Sequence, residues 1–278
     1  SRVFRLAAPR ADVVAKVGAT RDSLLPLVEE AKSLIRLGAV LGPRWLALRF
    51  YDPEGWIESA PSDGVPVLFM RSEPLAPQPF DLTVALALAK ELTLVHASGL
   101  AHGDIKPENA LLLGGAARWI DYGLACPSDM RFVRGGTPRY FPPDLDGETA
   151  ASRDVYAFGL TLAELAAPEL AERSDLVDAV RTVKLSGPLL GIIGALTLPR
   201  AAHRPSMEWV SRRLAAPEGL DPLAVVHVVN EAAAALDALP IDENQSVACR
   251  DEVFDARERF GDQTPLMWAT ARRQPDRK

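Results

Sequence analysis

Three closely spaced prolines, Pro74, Pro77 and Pro79, divide the chain into two stretches with different hydrophobic periods. Before them, β-branched and aromatic residues form short runs, Val3 to Leu6, Val13 to Val17, Trp45 to Tyr51 and Val65 to Met70, punctuated by Pro, Gly and Asp. Such runs predict strands, the first two forming a hairpin. One segment departs from this pattern: Ser23 to Leu37 carries Leu24, Leu27, Val28, Ala31, Leu34 and Leu37 at helical spacing. After the prolines the period is almost wholly helical, over Leu82–Ala97, Val155–Ala166, Leu176–Lys184, Leu189–Leu198 and Met207–Leu214. A strand-rich front joined to a helix-rich back by a proline linker predicts an α+β, two-lobed architecture. The expected divisions are 1–75 for the first lobe, 76–216 for the second and 217–278 for a helical extension.

Composition narrows the class. The 278 residues suffice for a real core, and 48% hydrophobic with 24% charged residues is an ordinary globular balance. A net charge of −6 gives no reason to expect nucleic acid or an anionic membrane as the main partner. Two cysteines, Cys126 and Cys249, are too few for a disulfide framework and fit a reducing compartment. The longest apolar stretches, Leu82 to Val95 (broken by Lys90 and Glu91) and Pro188 to Leu198, are too short to span a bilayer. No charged-then-apolar leader opens the chain as given. The expectation is a cytoplasmic protein.

The chemistry sits in one ordered series. His102-Gly103-Asp104-Ile105-Lys106-Pro107-Glu108-Asn109 comes first, then Trp119-Ile120-Asp121-Tyr122-Gly123. Gly136-Thr137-Pro138-Arg139-Tyr140-Phe141-Pro142-Pro143-Asp144, Asp154-Val155-Tyr156-Ala157-Phe158-Gly159 and Arg204-Pro205 follow. Taken together and in this order, they resemble the signature set of Ser/Thr protein kinases of the eukaryotic-like, protein-kinase-like superfamily, including bacterial ones, over roughly residues 1–215. The resemblance implies a bilobal kinase-like fold and transfer of the γ-phosphate of ATP, with Mg²⁺, to a hydroxyl of a protein substrate. Phosphoryl transfer asks a protein mainly to position groups and neutralise phosphate charge. By resemblance, Asp104 orients the substrate hydroxyl and accepts its proton, Lys106 steadies the transferring phosphate, and Thr137 is committed to Asp104 and Lys106. Asn109 and Asp121 match the Mg²⁺ ligands, oxygen donors of the kind that ion prefers. Lys16 matches the strand lysine that pairs with the nucleotide phosphates and with a helix acid, Glu30, beside which Glu29 is the competing candidate. Val3, Val14 and Leu111, together with Met70, would bind the nucleotide around its adenine. Leu34, Tyr122 and His102 would stack between the lobes above Asp154. Asp144 and Arg204 would form a buried ion pair, with the short Asp reducing its reach.

The series also departs from the pattern. Gly103 stands where most regulated protein kinases carry an arginine that receives a phosphate on the activation segment. Between Gly123 and Gly136 only Ser128 offers a hydroxyl, so activity is expected without phosphorylation of that segment. At the front there is no G-x-G-x-x-G; Ser1-Arg2-Val3-Phe4 aligns with the end of that loop. This leaves a pseudokinase or interaction module as an alternative, against which the retention of Lys16, Glu30, Asp104, Asn109 and Asp121 argues. His-Gly-Asp also occurs in small-molecule phosphotransferases, but these generally lack the Gly136–Asp144 segment, the Asp154–Gly159 run and the late Arg204-Pro205. Gly261 to Ala269 resembles the opening of an ankyrin repeat, and equally fits a helix N-cap with Thr264 and Pro265. Residues 217–278 are therefore the expected contact for a protein partner.

Overall fold

The computed structural model of the chain describes residues 2–6, 13–18, 24–52, 55–57, 65–71, 79–113, 116–182 and 188–216. The expected lobe boundary near residue 75 and the whole 217–278 extension, with its ankyrin-like stretch, lie outside the described residues.

The front of the chain is an antiparallel sheet with one helix. β1 (Arg2–Leu6) and β2 (Val13–Val17) form the expected hairpin, and the sheet continues through β5 (Val65–Arg71), β3 (Trp45–Asp52) and β4 (Gly55–Ile57) in the order β1-β2-β5-β3-β4. Its register matters for the site. Val3 lies opposite Lys16, and Lys16 opposite Leu68; two residues along, Val14 lies opposite Met70. Residues paired or two apart share a face of a sheet, so Val3, Val14, Lys16 and Met70 line one face. Between β2 and β3 runs α1 (Leu24–Leu41), which continues about one turn past the Leu37 end that the spacing predicts, and the chain leaves it at Gly42-Pro43. Leu27, Ala31, Leu34 and Leu37 make its buried stripe, as their helical spacing requires.

Behind the sheet, α2 (Leu82–Ala97) starts where Asp81 accepts a hydrogen bond from the Val84 N–H, 2.9 Å. Its buried face, Val84, Ala85, Leu88, Ala89, Leu92 and Val95, belongs to the main core together with α3 (Ala150–Ala166). The sequence places the start of α3 at Val155; the helix begins five residues earlier because Thr149 and Ser152 cap each other reciprocally. α4 (Leu176–Thr182), α5 (Pro188–Leu196) and α6 (Met207–Ala215) are the remaining α-helices among the described residues. Gly159 lets α3 meet α5: a Cβ there would stand 2.8 Å from both Leu196 Cβ and Thr197 Cγ2. Among the described residues, two small antiparallel pairs of strands too short for periodicity to reveal frame the site, β6 (Leu100–Ala101) with β9 (Cys126–Pro127), and β7 (Ala110–Leu113) with β8 (Ala116–Trp119). No helix among the described residues is long and apolar enough to cross a membrane.

Candidate active site

The residues singled out in the sequence converge in two adjoining clusters. The first is the loop between β6 and β7. Thr137 Oγ1 donates to Asp104 Oδ1 at 2.8 Å, Lys106 Nζ donates to Thr137 Oγ1 at 2.9 Å, and the same ammonium lies 2.7 Å from Asp104 Oδ2. Asn109 Nδ2 donates to the Asp104 carbonyl and to Asp104 Oδ2, at 2.8 and 3.1 Å, which fixes the loop and turns its amide oxygen elsewhere. The expected commitment of Thr137 to both Asp104 and Lys106 is what the geometry shows.

The loop hangs from α3. Both oxygens of Asp154 accept backbone N–H groups, His102 at 2.6 Å and Gly103 at 3.0 Å, and His96 Nε2 lies 3.1 Å from the same carboxylate. His102 is fully buried, and its ring is oriented by two bonds: Nδ1 faces the Asp104 N–H at 3.3 Å and Nε2 faces the Ile120 carbonyl at 3.0 Å. The proton therefore sits on Nε2. Burial lowers its pKa, so the ring stays neutral. The imidazole also packs against Tyr122, centroids 4.6 Å apart and the rings tilted by 51°, and Tyr122 and Leu34 both belong to the main core.

The second cluster joins sheet, helix and the turn after β8. Lys16 Nζ lies 2.8 Å from Glu30 Oε2 and 2.7 Å from Asp121 Oδ1. Glu30, 2% exposed, is the helix partner, while Glu29 pairs at the surface with Lys32. Burial alone would pull Lys16 down, but Glu30 and Asp121 outweigh it and hold the ammonium above its ordinary value. Burial would likewise raise Asp121, but the Lys16 hydrogen bond outweighs it and keeps the carboxyl below the ordinary range. The β7–β8 ladder brings the clusters side by side: Ala110 pairs with Trp119, and the Ile120 N–H donates to the Asn109 carbonyl at 2.9 Å. Asn109 and Asp121 thus flank one junction, each with oxygen to offer. No grouping of three or more His, Cys, Asp or Glu side chains suited to a metal exists among the described residues. Mg²⁺, which keeps waters and substrate phosphates and takes only one or two protein carboxylates, fits this sparse oxygen set. Of the remaining nucleotide candidates, Val14 and Met70 are half-buried neighbours, Val3 is 63% exposed beside Lys16, and Leu111 lies on β7 two residues after Asn109.

The segment from Asp121 to Glu148 is fastened along its length by the protein itself. Ser128 has its N–H on the Gly99 carbonyl and its carbonyl on the Ala151 N–H, at 3.1 and 2.9 Å. Arg153 donates to the Arg131 and Phe132 carbonyls, both at 3.2 Å, and Tyr140 donates its hydroxyl to Glu164 at 2.9 Å. Gly103 has φ +84°, and a Cβ there would stand 2.5 Å from the Leu124 carbonyl oxygen. The position that lacks an arginine also lacks room for one.

One expectation is corrected. Arg204 pairs not with Asp144 but with Glu148: Nη2 to Oε1 is 2.7 Å and Nη1 to Oε2 is 2.9 Å, with both side chains 1% exposed. Asp144 is exposed and accepts from the Asp146 N–H. The cap at Thr149 explains the exchange, because it draws the preceding residue, Glu148, down against the first turn of α3, where it also accepts from Ser152 Oγ. Sequence reasoning missed Glu148, Arg153 and the buried Arg44–Glu91 pair described below; a charge at a buried helical position was the available signal for Glu91.

Residues 74–183 match the protein kinase domain family. The chain is similar to the Probable serine/threonine-protein kinase PkwA of Thermomonospora curvata, 33% identical over 113 residues, which covers 38% of this chain and 15% of the relative. It is similar to the serine/threonine-protein kinase AfsK of Streptomyces griseus, 36% identical over 88 residues, covering 28% and 11%. It is also similar to CBL-interacting protein kinase 4 of Oryza sativa subsp. japonica, 32% identical over 142 residues, covering 47% and 30%. The chain thus spans less than a third of the length of each of these relatives. Over residues 74–183 the chain is similar to protein kinase domains. Lys16 and Glu30 lie outside the matched residues, so their meeting with Asp121 is an observation independent of the match.

Proposed function

We propose that this chain is an ATP- and Mg²⁺-dependent Ser/Thr protein kinase with a bilobal kinase-like fold. The observation that carries the reading is the hydrogen-bonded set Asp104, Lys106 and Thr137, built beside the Lys16–Glu30–Asp121 cluster. Asp104 accepts the proton of the substrate hydroxyl, its carboxylate aimed by Thr137 and balanced by Lys106. Asn109 holds the Asp104 carbonyl and, with Asp121, supplies the oxygen ligands of the metal. Bound Mg²⁺ would contribute neutralisation of phosphate charge. Lys16, kept cationic by Glu30, meets the nucleotide phosphates, with Val3, Val14, Met70 and Leu111 around the base. The substrate is a protein hydroxyl; Lys106 and Thr137 are the choices of Ser/Thr rather than Tyr kinases.

Labelled γ-phosphate transfer to a Ser/Thr peptide library tests the reading. Asp104→Asn loses roughly a hundredfold or more of the rate, with the thermal unfolding curve unchanged. Equal rates for variant and parent would remove Asp104 from the role assigned to it. A parent that binds Mg²⁺ and nucleotide but transfers nothing would be a pseudokinase.

A further inference from the structure

Asp121 is the only non-glycine with positive φ among the described residues, at φ 63° and ψ 68°. A side chain in that left-handed region persists only where its surroundings over-determine it. The surroundings here are held by a residue that no catalytic motif contains. Glu91 of α2, buried in the core, accepts on Oε1 from the Trp119 N–H at 3.0 Å and from the Tyr122 hydroxyl at 2.9 Å. One oxygen thereby grips the chain two residues before Asp121 and one residue after it. Trp119 is further pinned through Nε1 on the Leu88 carbonyl, 3.0 Å.

A buried carboxylate is costly unless it is paired and its lone pairs are filled. Arg44 meets Glu91 with two parallel bonds, Nη1 to Oε1 at 2.9 Å and Nη2 to Oε2 at 2.8 Å, and Nη1 also donates to the Trp119 carbonyl at 3.0 Å. Arg44 stands between the end of α1, which carries Glu30, and the start of β3. The same pair therefore ties the helix that presents Glu30 to the turn that presents Asp121. Apolar side chains would fill this space without the desolvation cost; a directional network is what fixes a particular backbone conformation.

We propose that Glu91, neutralised by Arg44 and acting through Trp119 and the Tyr122 hydroxyl, is a positioning residue that holds Asp121 in its inward, Lys16-paired conformation. The inference rests on the proposed function only in taking Asp121 as the metal ligand.

Tyr122→Phe removes one hydroxyl and leaves Glu91 bonded to Arg44 and Trp119, so it is the variant least able to disturb folding; Glu91→Gln is the second. Two measurements on the full chain separate positioning from bulk stability. In the ligand-free protein, amide hydrogen exchange over residues 119–124 should quicken about tenfold in Tyr122→Phe, as loss of a hydrogen bond to a carboxylate predicts. The amides of α3 should exchange at the parent's rate. In nucleotide-dependent thermal shifts, the Mg²⁺ concentration giving half the shift should rise about threefold or more, while the shift in EDTA stays as in the parent. Glu91→Gln should move both readouts further in the same direction. Unchanged exchange over 119–124, or exchange quickened equally in α3, overturns the proposal. Local loosening with an unchanged Mg²⁺ requirement also overturns it, because Glu91 would then be a clamp without consequence for Asp121. A parent whose nucleotide shift does not depend on Mg²⁺ would instead overturn the proposed function, and the exchange readout would still decide on the clamp.

Discussion

Arg204 is a buried cation held by a full set of hydrogen bonds, and Glu148→Ala tests what that satisfaction is worth. Every N–H of its guanidinium has an acceptor: Nε the Leu198 carbonyl at 2.7 Å, Nη1 Glu148 Oε2 and the Ser152 carbonyl at 2.9 and 3.0 Å, and Nη2 Glu148 Oε1 and the Pro199 carbonyl, both at 2.7 Å. The guanidinium also lies 4.8 Å from the centroid of the Tyr156 ring. Removing the carboxylate leaves a cation that is 1% exposed with neutral carbonyls as its only oxygen partners. Breaking a buried pair from one side costs about 3–5 kcal/mol, and the three remaining carbonyls argue for the lower end. For a domain of this size, about 2–4 °C per kcal/mol converts that to a fall in Tm on the order of 10 °C. Circular dichroism melts of the parent, Glu148→Ala and Asp144→Ala decide the matter. Asp144→Ala, at an exposed position, should lie within about 0.5 kcal/mol of the parent. A melt in which Asp144→Ala costs as much as Glu148→Ala would refute the pairing and restore Asp144 as the partner of Arg204.

Three other outcomes follow from the site. Gly103→Ala combines a left-handed backbone with a Cβ 2.5 Å from the Leu124 oxygen, so it should displace Asp104 and cut phosphotransfer roughly tenfold or more; steady-state kinetics at parent-like activity would show that the loop yields cheaply. Ser128→Ala, and phosphatase treatment of the parent, should leave activity within about twofold, since Arg153 and backbone bonds already fasten the segment; loss of most activity in either sample would make the segment a phosphate switch. Burial first, and Glu91 second, raise the Tyr122 pKa above its unfolded value of 10.0. Such a group contributes its stability fully below the unfolded value and loses it as pH rises toward the folded one, so Tm of the parent should fall above about pH 10 and fall less in Tyr122→Phe; parallel alkaline slopes in the two proteins would contradict the buried hydroxyl.

The geometry around the candidate site was legible where a proposed role demands one residue type at one spacing, and illegible where it demands only a charge within reach. Asp104, Lys106, Asn109 and Thr137 could be read because a short loop must present each of them to the same atoms, and the structure brings them together within hydrogen-bond distance. Glu30 could be preferred over Glu29 because neighbouring helical residues point about 100° apart and only one shares the buried stripe of Leu27 and Leu34. Asp144 and Glu148 could not be separated that way, since both precede α3 on a loop with no period. The cap from Thr149 to Ser152 was the missing cue; it starts the helix before the apolar run at Val155 and so sets Glu148 against the first turn.

Glu91 poses the same problem in a sharper form. In the sequence, Lys90 and Glu91 together look like a polar break in an apolar stretch. Helical geometry separates them: Lys90 is exposed, whereas Glu91, three residues after Leu88 and four before Val95, falls on the buried face. A carboxylate on that face requires a cation from elsewhere in the chain. Periodicity can therefore demand the partner but cannot name it, because Arg44 is 47 residues away and reaches Glu91 only through the path from α1 into β3.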